Sequence, residues 1–190
     1  MGEANVPGTV IPDNDGEGTA FVTGSMLRMM KTYGQPLGQI RSITGLEASV
    51  IQNWIKRGFV AHPIDKKYYD RHLARILLIN ALRSSMKIES IGELLRIVNG
   101  SADDESDDII SDAQLYCFLC ETVRKLDRES ISRKSVEATV NKVTSAYSST
   151  DPEHLERLRK ALTVMAYAYL SGELKERAES HFSELRKGKV

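Results

Sequence analysis

The chain has 190 residues, of which 41% are hydrophobic and 27% charged, and its formal net charge is zero. These proportions are typical of a soluble globular protein. No apolar run approaches the roughly 20 residues that a membrane-spanning helix needs, and the N-terminus lacks a signal-peptide pattern. The two cysteines, Cys117 and Cys120, are too few for a disulfide framework. We therefore expect a cytoplasmic protein with no membrane partner.

Charge is segregated along the chain. Residues 1–24 carry four acidic and no basic side chains, and residues 101–112 carry six acidic and no basic ones. Between them, residues 25–100 carry 12 lysines and arginines against 5 acidic residues. A cationic segment of this kind favours a polyanion such as DNA, because neutralised phosphates release condensed counterions. A solvated basic face explains the same charges equally well.

The helical periodicity predicts a mainly all-α fold in four regions. Residues 1–24 have the composition of a flexible acidic arm. Residues 25–100 form a domain of short helices and turns, which begins with a helix capped by Ser25. Residues 101–112 are predicted to be an acidic linker. Residues 113–190 form an α-helical tail with four helical patterns, the last two separated by Gly172.

One stripe of the tail has the spacing of a helix that packs along another helix. Apolar residues recur at intervals of three and four, at Leu155, Leu158, Leu162, Met165 and Tyr169. This stripe predicts either a homodimer surface or part of the intrachain core.

The domain of residues 25–100 contains two short helices joined at the tight turn Thr44-Gly45. In a helix-turn-helix of this kind, the second helix lies in the major groove with polar side chains outward. Glutamine and asparagine can pair with adenine, and lysine reaches guanine or phosphate. The outward positions predict four DNA-binding residues, Ser49, Gln52, Asn53 and Lys56. The loop after the second helix has basic and aromatic residues at its tip. Four residues of this region are predicted to contact the sugar-phosphate backbone of DNA: Lys66, Lys67, Tyr68 and Arg71.

The run TGLEASVIQNWIKRGFV, residues 44–60, resembles the reading head of the MerR family. That head has a Thr-Gly-hydrophobic turn, a helix ending in two aromatics, and a glycine followed by two apolar residues. Asn53 replaces the first aromatic, and Lys66 replaces the arginine of the family's Arg-x-Tyr wing. The resemblance covers residues 37–98 and implies a winged helix-turn-helix with a possible small wing hairpin. The whole chain also resembles a bacterial domain-of-unknown-function family that joins such a head to a helical tail.

Other chemistry-bearing residues favour structural roles. Trp54 lies on the inward side of its helix and predicts core packing, and His72 is expected at the surface or at a helix start. Cys117 and Cys120 form a CxxC pair inside a helical apolar pattern, which favours buried structural thiols over a redox or metal site. The sequence contains no catalytic motif. We expect no enzymatic activity, no cofactor and no metal.

These patterns predict a sequence-specific transcriptional regulator of MerR-like type, acting on double-stranded DNA as a homodimer. The replacements at Asn53 and Lys66 also permit a second hypothesis, a helical protein-interaction adaptor with a degenerate DNA-reading head. A third hypothesis is a ligand or metal sensor whose tail receives an unknown small-molecule effector. The sensor predicts a polar-lined cavity or cysteines that thiol reagents can reach.

Overall fold

The computed structural model describes residues 5–104, 106–149 and 151–188, and in these ranges the protein is mostly helical. No strand is longer than an isolated bridge within the described residues. No helix there combines the length and the apolar character needed to cross a membrane. The α-helices are α1 (Glu17–Ala20), α2 (Leu27–Thr32), α3 (Leu37–Thr44), α4 (Ala48–Lys56), α5 (Asp70–Leu82), α6 (Ile88–Asn99), α7 (Asp112–Lys125), α8 (Arg133–Val143) and α9 (Pro152–Arg186).

Helix α5 is the centre of the molecule. Ten of its residues are buried, and they cover its whole circumference, as expected for a helix enclosed by other elements. Helices α2, α6, α7 and α9 pack around it. One hydrophobic core therefore runs from Val6 to Leu170 and joins the predicted domain of residues 25–100 to the tail.

The N-terminal segment is packed from Asn5 onward, so the expected flexible arm does not hold for the described part of residues 1–24. Val6 is fully buried, and the Tyr116 hydroxyl donates a hydrogen bond to the Pro7 carbonyl at 2.7 Å. Asn80 donates to the Gly8 carbonyl at 2.8 Å. The composition suggested disorder, but these long-range contacts fix the backbone. Residues 1–4 of the predicted arm lie outside the described residues.

The first helical segment also begins earlier than expected. Helices α1 and α2 are joined by a π-helical stretch, Phe21–Met26, so that Ser25 lies inside the segment rather than at its start. Met26 and Met30 are buried, whereas Met29 is exposed. The cap prediction is wrong because the helical segment already begins at Glu17. The first turn packs closely on the preceding segment, since a Cβ on Gly18 would lie 2.1 Å from the Pro12 carbonyl oxygen.

The acidic segment 101–112 does not separate two packing units. Ile110 is buried, the Ile109 amide donates to the Val98 carbonyl, and the Tyr147 hydroxyl donates to the Ile109 carbonyl at 2.6 Å. The two apolar residues within the acidic run thus tie α6, α7 and the end of α8 together. Glu105 lies outside the described residues.

Helix α9 is one continuous helix of 35 residues, where the sequence predicted an interruption at Gly172. It begins at Pro152, and the Asp151 side chain caps it by accepting a hydrogen bond from the Glu153 amide. Gly172 is buried inside it, and a Cβ there would lie 2.2 Å from the Ser84 hydroxyl oxygen. The glycine serves close packing rather than a helix stop.

The apolar stripe between residues 155 and 169 belongs to the core of its own chain. Leu158, Leu162 and Met165 are fully buried, and Leu155 and Tyr169 are half-buried. Helices α7 and α8 pack against α9. Of the two predictions for this stripe, the intrachain core is confirmed, and the stripe is not free to serve as a dimer surface.

Candidate nucleic-acid interface

Helices α3 and α4 are joined by a tight turn that requires glycine. Gly45 has φ 68° and ψ 9°, the left-handed region that side chains with a Cβ rarely adopt. The Thr44 hydroxyl donates to the Ile40 carbonyl and accepts from the Leu46 amide at 3.2 Å, which closes the turn. A Cβ on Gly45 would also lie 2.6 Å from a methyl carbon of Val10. The N-terminal segment thus rests directly on this turn.

Helix α4 has an apolar and a polar face. Ile51, Trp54 and Ile55 are buried, which confirms the core position predicted for Trp54. The four predicted DNA-binding residues of this helix are all exposed, at Ser49, Gln52, Asn53 and Lys56. Their spacing of i, i+3, i+4 and i+7 brings them together on one side of the helix. We call this set the α4 face.

Exposed ion pairs flank the α4 face. Arg41 pairs with Glu47 at 2.9 Å across the turn, and Arg57 pairs with Glu89 at 2.6 Å beyond the end of α4. Within the described ranges, no carboxylate lies within ion-pair distance of Lys56. Lys56 is therefore open to an external anion, whereas Arg41 and Arg57 already have carboxylate partners.

A two-residue hairpin follows α4. The Ile64 and Lys67 backbones exchange two hydrogen bonds, with N···O distances of 3.1 and 2.9 Å. Asp65 and Lys66 form the turn, both at positive φ (48° and 62°), as a tight primed hairpin turn requires. This loop therefore forms a minimal hairpin on the isolated Ile64–Lys67 bridge, and no strand among the described residues extends it. Lys66 and Lys67 are exposed at its tip, beside the acidic Asp65.

Tyr68, expected at the loop tip, is buried instead. Its backbone exchanges two hydrogen bonds of 2.8 Å with Gln35, which turns its side chain into the core. There the ring meets His72 edge-on at 5.9 Å between centroids, and desolvation raises the phenol pKa. The phenol is thus removed from the surface that Lys66 and Lys67 present.

His72 is at a helix start, as expected, but it is buried and holds the hairpin loop. The Tyr69 amide donates to Nδ1 at 3.0 Å, so Nδ1 carries no proton. Nε2 then donates to the His62 carbonyl, also at 3.0 Å. Burial lowers the pKa of His72, which keeps the ring neutral. Both nitrogens are used in packing, and neither is available to a ligand.

Arg71 is half-buried and contacts the acidic segment. Its guanidinium donates to the Ala102 carbonyl at 3.1 Å, and Asp103 accepts a hydrogen bond from the His62 amide, also at 3.1 Å. The acidic segment therefore lies against the loop that precedes the hairpin. Of the eight predicted DNA-binding residues, the structure exposes six, half-buries Arg71 and buries Tyr68.

A buried polar cluster anchors this region to the tail. Arg75 donates to the Phe59 carbonyl at 3.0 Å and forms an ion pair with Asp112 at 3.3 Å. Asn99 donates to the same carboxylate at 2.8 Å. The cluster joins the end of the α4 loop to α5, α6 and the first turn of α7. This cluster was not predicted, because the only sign of it in the sequence is an arginine in the middle of an apolar helix.

The two cysteines lie on the inner side of α7. Cys120 is buried and Cys117 is half-buried, with its Sγ 3.9 Å from the Thr23 carbonyl oxygen. Burial raises the pKa of Cys117 to about 11 and that of Cys120 further. Both groups are thiols at neutral pH. The prediction of buried cysteines is confirmed for Cys120, whereas Cys117 is only half-buried. Among the described residues, no group of three or more His, Cys, Asp or Glu side chains could hold a metal.

A polar groove of about 770 Å³ lies on another side of the molecule, between the N-terminal segment, the end of α5 and α9. Arg83 and Ser84 line it from the end of α5, and Glu173 and Arg177 line it from α9. Its lining is largely polar, which is the kind of lining that the sensor hypothesis predicts.

These features define an all-α protein with an exposed polar helix face and a minimal hairpin. The family profile described as domain of unknown function DUF1836 matches residues 22–118, about half of the chain, and the chain belongs to this family. The match includes α4, the hairpin and the buried polar cluster, and it ends within α7. Helices α8 and α9 lie outside it.

A curated relative shares part of this similarity. The chain is 27% identical over 115 residues to the "Uncharacterized protein YkrK" of Bacillus subtilis (strain 168). The alignment covers 57% of this chain and 49% of that protein, so the chain spans about half the length of this relative. No solved structure matches the chain significantly.

Proposed function

We propose that this chain is a transcriptional regulator that binds double-stranded DNA sequence-specifically through a MerR-like winged helix-turn-helix. The α4 face carries the proposal. Its four polar side chains point away from a helix whose opposite side is buried, and the turn before it has the glycine geometry of a helix-turn-helix. A face of this kind fits the major groove of B-DNA.

The proposal gives the exposed residues distinct roles. Gln52 and Asn53 read base edges, because their amides offer a donor and an acceptor together. Lys56, Lys66 and Lys67 contact phosphates, and they have no competing ion pair among the described residues. Tyr68 has no part in this surface, and any part played by Arg71 requires the acidic segment to move.

The regulator would act as a homodimer. One recognition helix reads only a few base pairs, so the specificity of a regulator comes from two copies on a two-fold site. The stripe of residues 155–169 is unavailable for this contact because it is buried in its own chain.

The test is binding of the full chain to genomic fragments at two salt concentrations. The variant Gln52→Ala/Asn53→Ala should lose roughly tenfold or more in affinity for selected fragments, with little effect on unselected DNA. The variant Lys66→Ala/Lys67→Ala should weaken binding to all DNA and reduce the salt slope by about 2.

Matched controls lie on the tail. Gln114→Ala/Asn141→Ala and Lys134→Ala/Lys142→Ala change the same residue types at exposed positions of α7 and α8. They should leave binding unchanged. If no DNA is retained at low salt, or if the head variants behave like these controls, the proposal fails. A folded chain without DNA binding would favour the protein-interaction adaptor.

We propose, as a second candidate, that the groove beside α9 receives a small polar effector. Arg83 and Arg177 line the groove beside Glu176, and the other lining carboxylate, Glu173, is paired with Arg128. The remaining positive charge favours an anionic ligand. A thermal-shift screen of anionic metabolites tests this candidate, with Arg83→Ala as the variant that should abolish any shift. A shift that persists in Arg83→Ala would place the ligand elsewhere.

A further inference from the structure

The N-terminal residues 5–12 form a compact loop that is closed by its own hydrogen bonds. The Val6 amide donates to the Ile11 carbonyl at 2.9 Å, and the Thr9 amide and hydroxyl donate back to the Val6 carbonyl at 2.9 and 3.0 Å. The Ile11 amide in turn donates to the Thr9 hydroxyl. Because a satisfied hydrogen-bond network is rigid, we expect these residues to move as one unit. We call residues 5–12 the N-terminal loop.

The N-terminal loop contacts the groove beside α9 at one end and the turn before α4 at the other. Residues 5–9 form one wall of the groove. Beyond that wall, the Val10 amide donates to the Ile43 carbonyl at 3.0 Å, and the Val10 side chain rests on Gly45. The loop therefore reaches from the groove to the turn that positions the α4 face.

Asn80 makes the same connection from α5. Its side-chain amide donates to the Gly8 carbonyl at 2.8 Å and to the Thr44 carbonyl at 3.2 Å, and the same residue lines the groove. The last carbonyls of a helix have no partner within the helix, so Asn80 and Val10 complete the hydrogen bonding at the end of α3. One amide thus joins the groove, the N-terminal loop and the turn before α4.

The groove offers several hydrogen-bond donors to an anion. Arg83 and Arg177 line it, and neither forms an ion pair with another described residue. Glu176 is also part of the lining, so these three side chains leave an excess of one positive charge. The Tyr169 hydroxyl has no hydrogen-bond partner in the described ranges, and desolvation raises its pKa, which keeps it protonated as a donor. Two guanidinium groups and a phenol fit a phosphate group.

We propose that a phosphate-bearing ligand, bound between Arg83 and Arg177, raises the affinity of the α4 face for DNA through the N-terminal loop and Asn80. The ligand lies between the loop and α9, so it favours the state in which the loop is packed. The same state holds the turn before α4. Ligand and DNA therefore favour one conformation, and each raises the affinity for the other. This inference rests on the proposed function, because it assigns the regulation of that DNA-binding surface.

Amide hydrogen exchange of the full chain, without DNA, tests the connection. Inorganic phosphate is the probe, and chloride at equal ionic strength is the reference. Phosphate should slow exchange of the Val10 and Gly45 amides about fivefold, since both are bonded at the turn. Arg177→Gln should abolish this protection. The matched control Arg186→Gln, at an exposed position outside the groove lining, should retain it. Protection by glycerol phosphate at a lower concentration would assign a phosphate monoester, and protection at equal concentrations would assign free phosphate.

Fluorescence anisotropy with a selected DNA fragment tests the regulation. At constant ionic strength, phosphate should lower the DNA Kd about fivefold, whereas competition for the lysines would raise it. Asn80→Leu keeps the size of the side chain but loses both hydrogen bonds. It should still bind phosphate, measured by calorimetry, without a change in the DNA Kd. Val10→Gly, outside the groove lining, is a second variant that should uncouple the two sites.

Two outcomes would overturn the proposal: exchange of the Val10 and Gly45 amides that phosphate leaves unchanged, and a phosphate-dependent fall in the DNA Kd that persists in Arg177→Gln. Far-UV circular dichroism verifies that each variant remains helical. DNA binding that phosphate does not alter would refute this inference alone. Protection of the turn in a chain that binds no DNA would refute the proposed function alone.

Discussion

At the residue scale, the histidine and the cysteines show how burial assigns a role that residue type leaves open. His72 and Cys117 are both reactive residue types, and both were open to functional interpretations. In the fold, His72 bonds the backbone through both ring nitrogens, and Cys117 is packed against the Thr23 carbonyl. Desolvation then keeps both groups uncharged, which removes them from acid–base and metal chemistry.

The His72 arrangement predicts a loss of stability in acid. The folded chain lowers the pKa of His72, whereas an unfolded histidine has a pKa near 6.5, so below about pH 6.5 the unfolded chain binds the additional proton. Stability should therefore fall as the pH drops from 7.5 to 5.5. Urea midpoints of the wild type and His72→Gln, which does not titrate, isolate this contribution. A difference between them that is constant with pH would contradict the assignment.

The raised pKa values of Cys117 and Cys120 predict slow reaction with thiol reagents. With a pKa of about 11, Cys117 has roughly a thousandth of its population as thiolate at pH 8, and Cys120 has less. Native protein should react with an aromatic disulfide reagent at least about a hundredfold more slowly than a free cysteine, while urea-unfolded protein should show two fast thiols. Rapid reaction of one native thiol would support the thiol-sensor hypothesis.

At the element scale, the helix-and-turn pattern of residues 37–99 was predictable because it depends on local features. Apolar periodicity predicted short helices in residues 25–100, and the Thr44-Gly45 pair located the turn between α3 and α4. Predictions failed where packing between distant segments decides. Gly172 continues its helix because Ser84 lies against it, and Tyr68 turns inward because Gln35 pairs with its backbone. Neither partner is visible in the local sequence.

Replacing two glycines by alanine, one in the turn before α4 and one inside α3, should have opposite effects on the stability of the protein. Gly45→Ala forces a Cβ into left-handed backbone and toward Val10, and it should destabilise the protein by about 1–3 kcal/mol. Gly38→Ala lies inside α3 with nothing within 4 Å of its Cβ, and it should stabilise the protein by about 0.5–1 kcal/mol. Chemical unfolding measures both. Equal effects would refute the special role of the turn.

At the scale of the whole molecule, the head and the tail share one core. Composition and charge suggested an arm, a head, a linker and a tail, because acidic runs usually separate domains. In the structure, Ile109 and Ile110 of the acidic segment are packed, and the Arg75–Asp112 ion pair crosses from α5 to α7. The α4 face is thus supported by residues far along the chain.

The buried ion pair predicts a long-range effect. Asp112→Ala leaves Arg75 buried without its carboxylate and should cost about 3–5 kcal/mol. Because Arg75 also holds the Phe59 carbonyl, amide exchange in residues 57–61 should accelerate beyond the general loss of stability. The control Glu47→Ala breaks an exposed pair and should cost less than about 1 kcal/mol. Similar losses of unfolding free energy for Asp112→Ala and Glu47→Ala would contradict the stabilising role of the buried ion pair.

The hydrogen bond between Pro7 and Tyr116 spans 109 residues and has a consequence for how the protein is made. A ribosome releases the chain from its N-terminus, so the N-terminal segment can pack on the turn before α4 and on α5 before α7 supplies the Tyr116 hydroxyl. Synthesis halted near residue 100 would therefore yield a chain with all the residues of the α4 face but without the Tyr116 hydrogen bond and the Arg75–Asp112 ion pair.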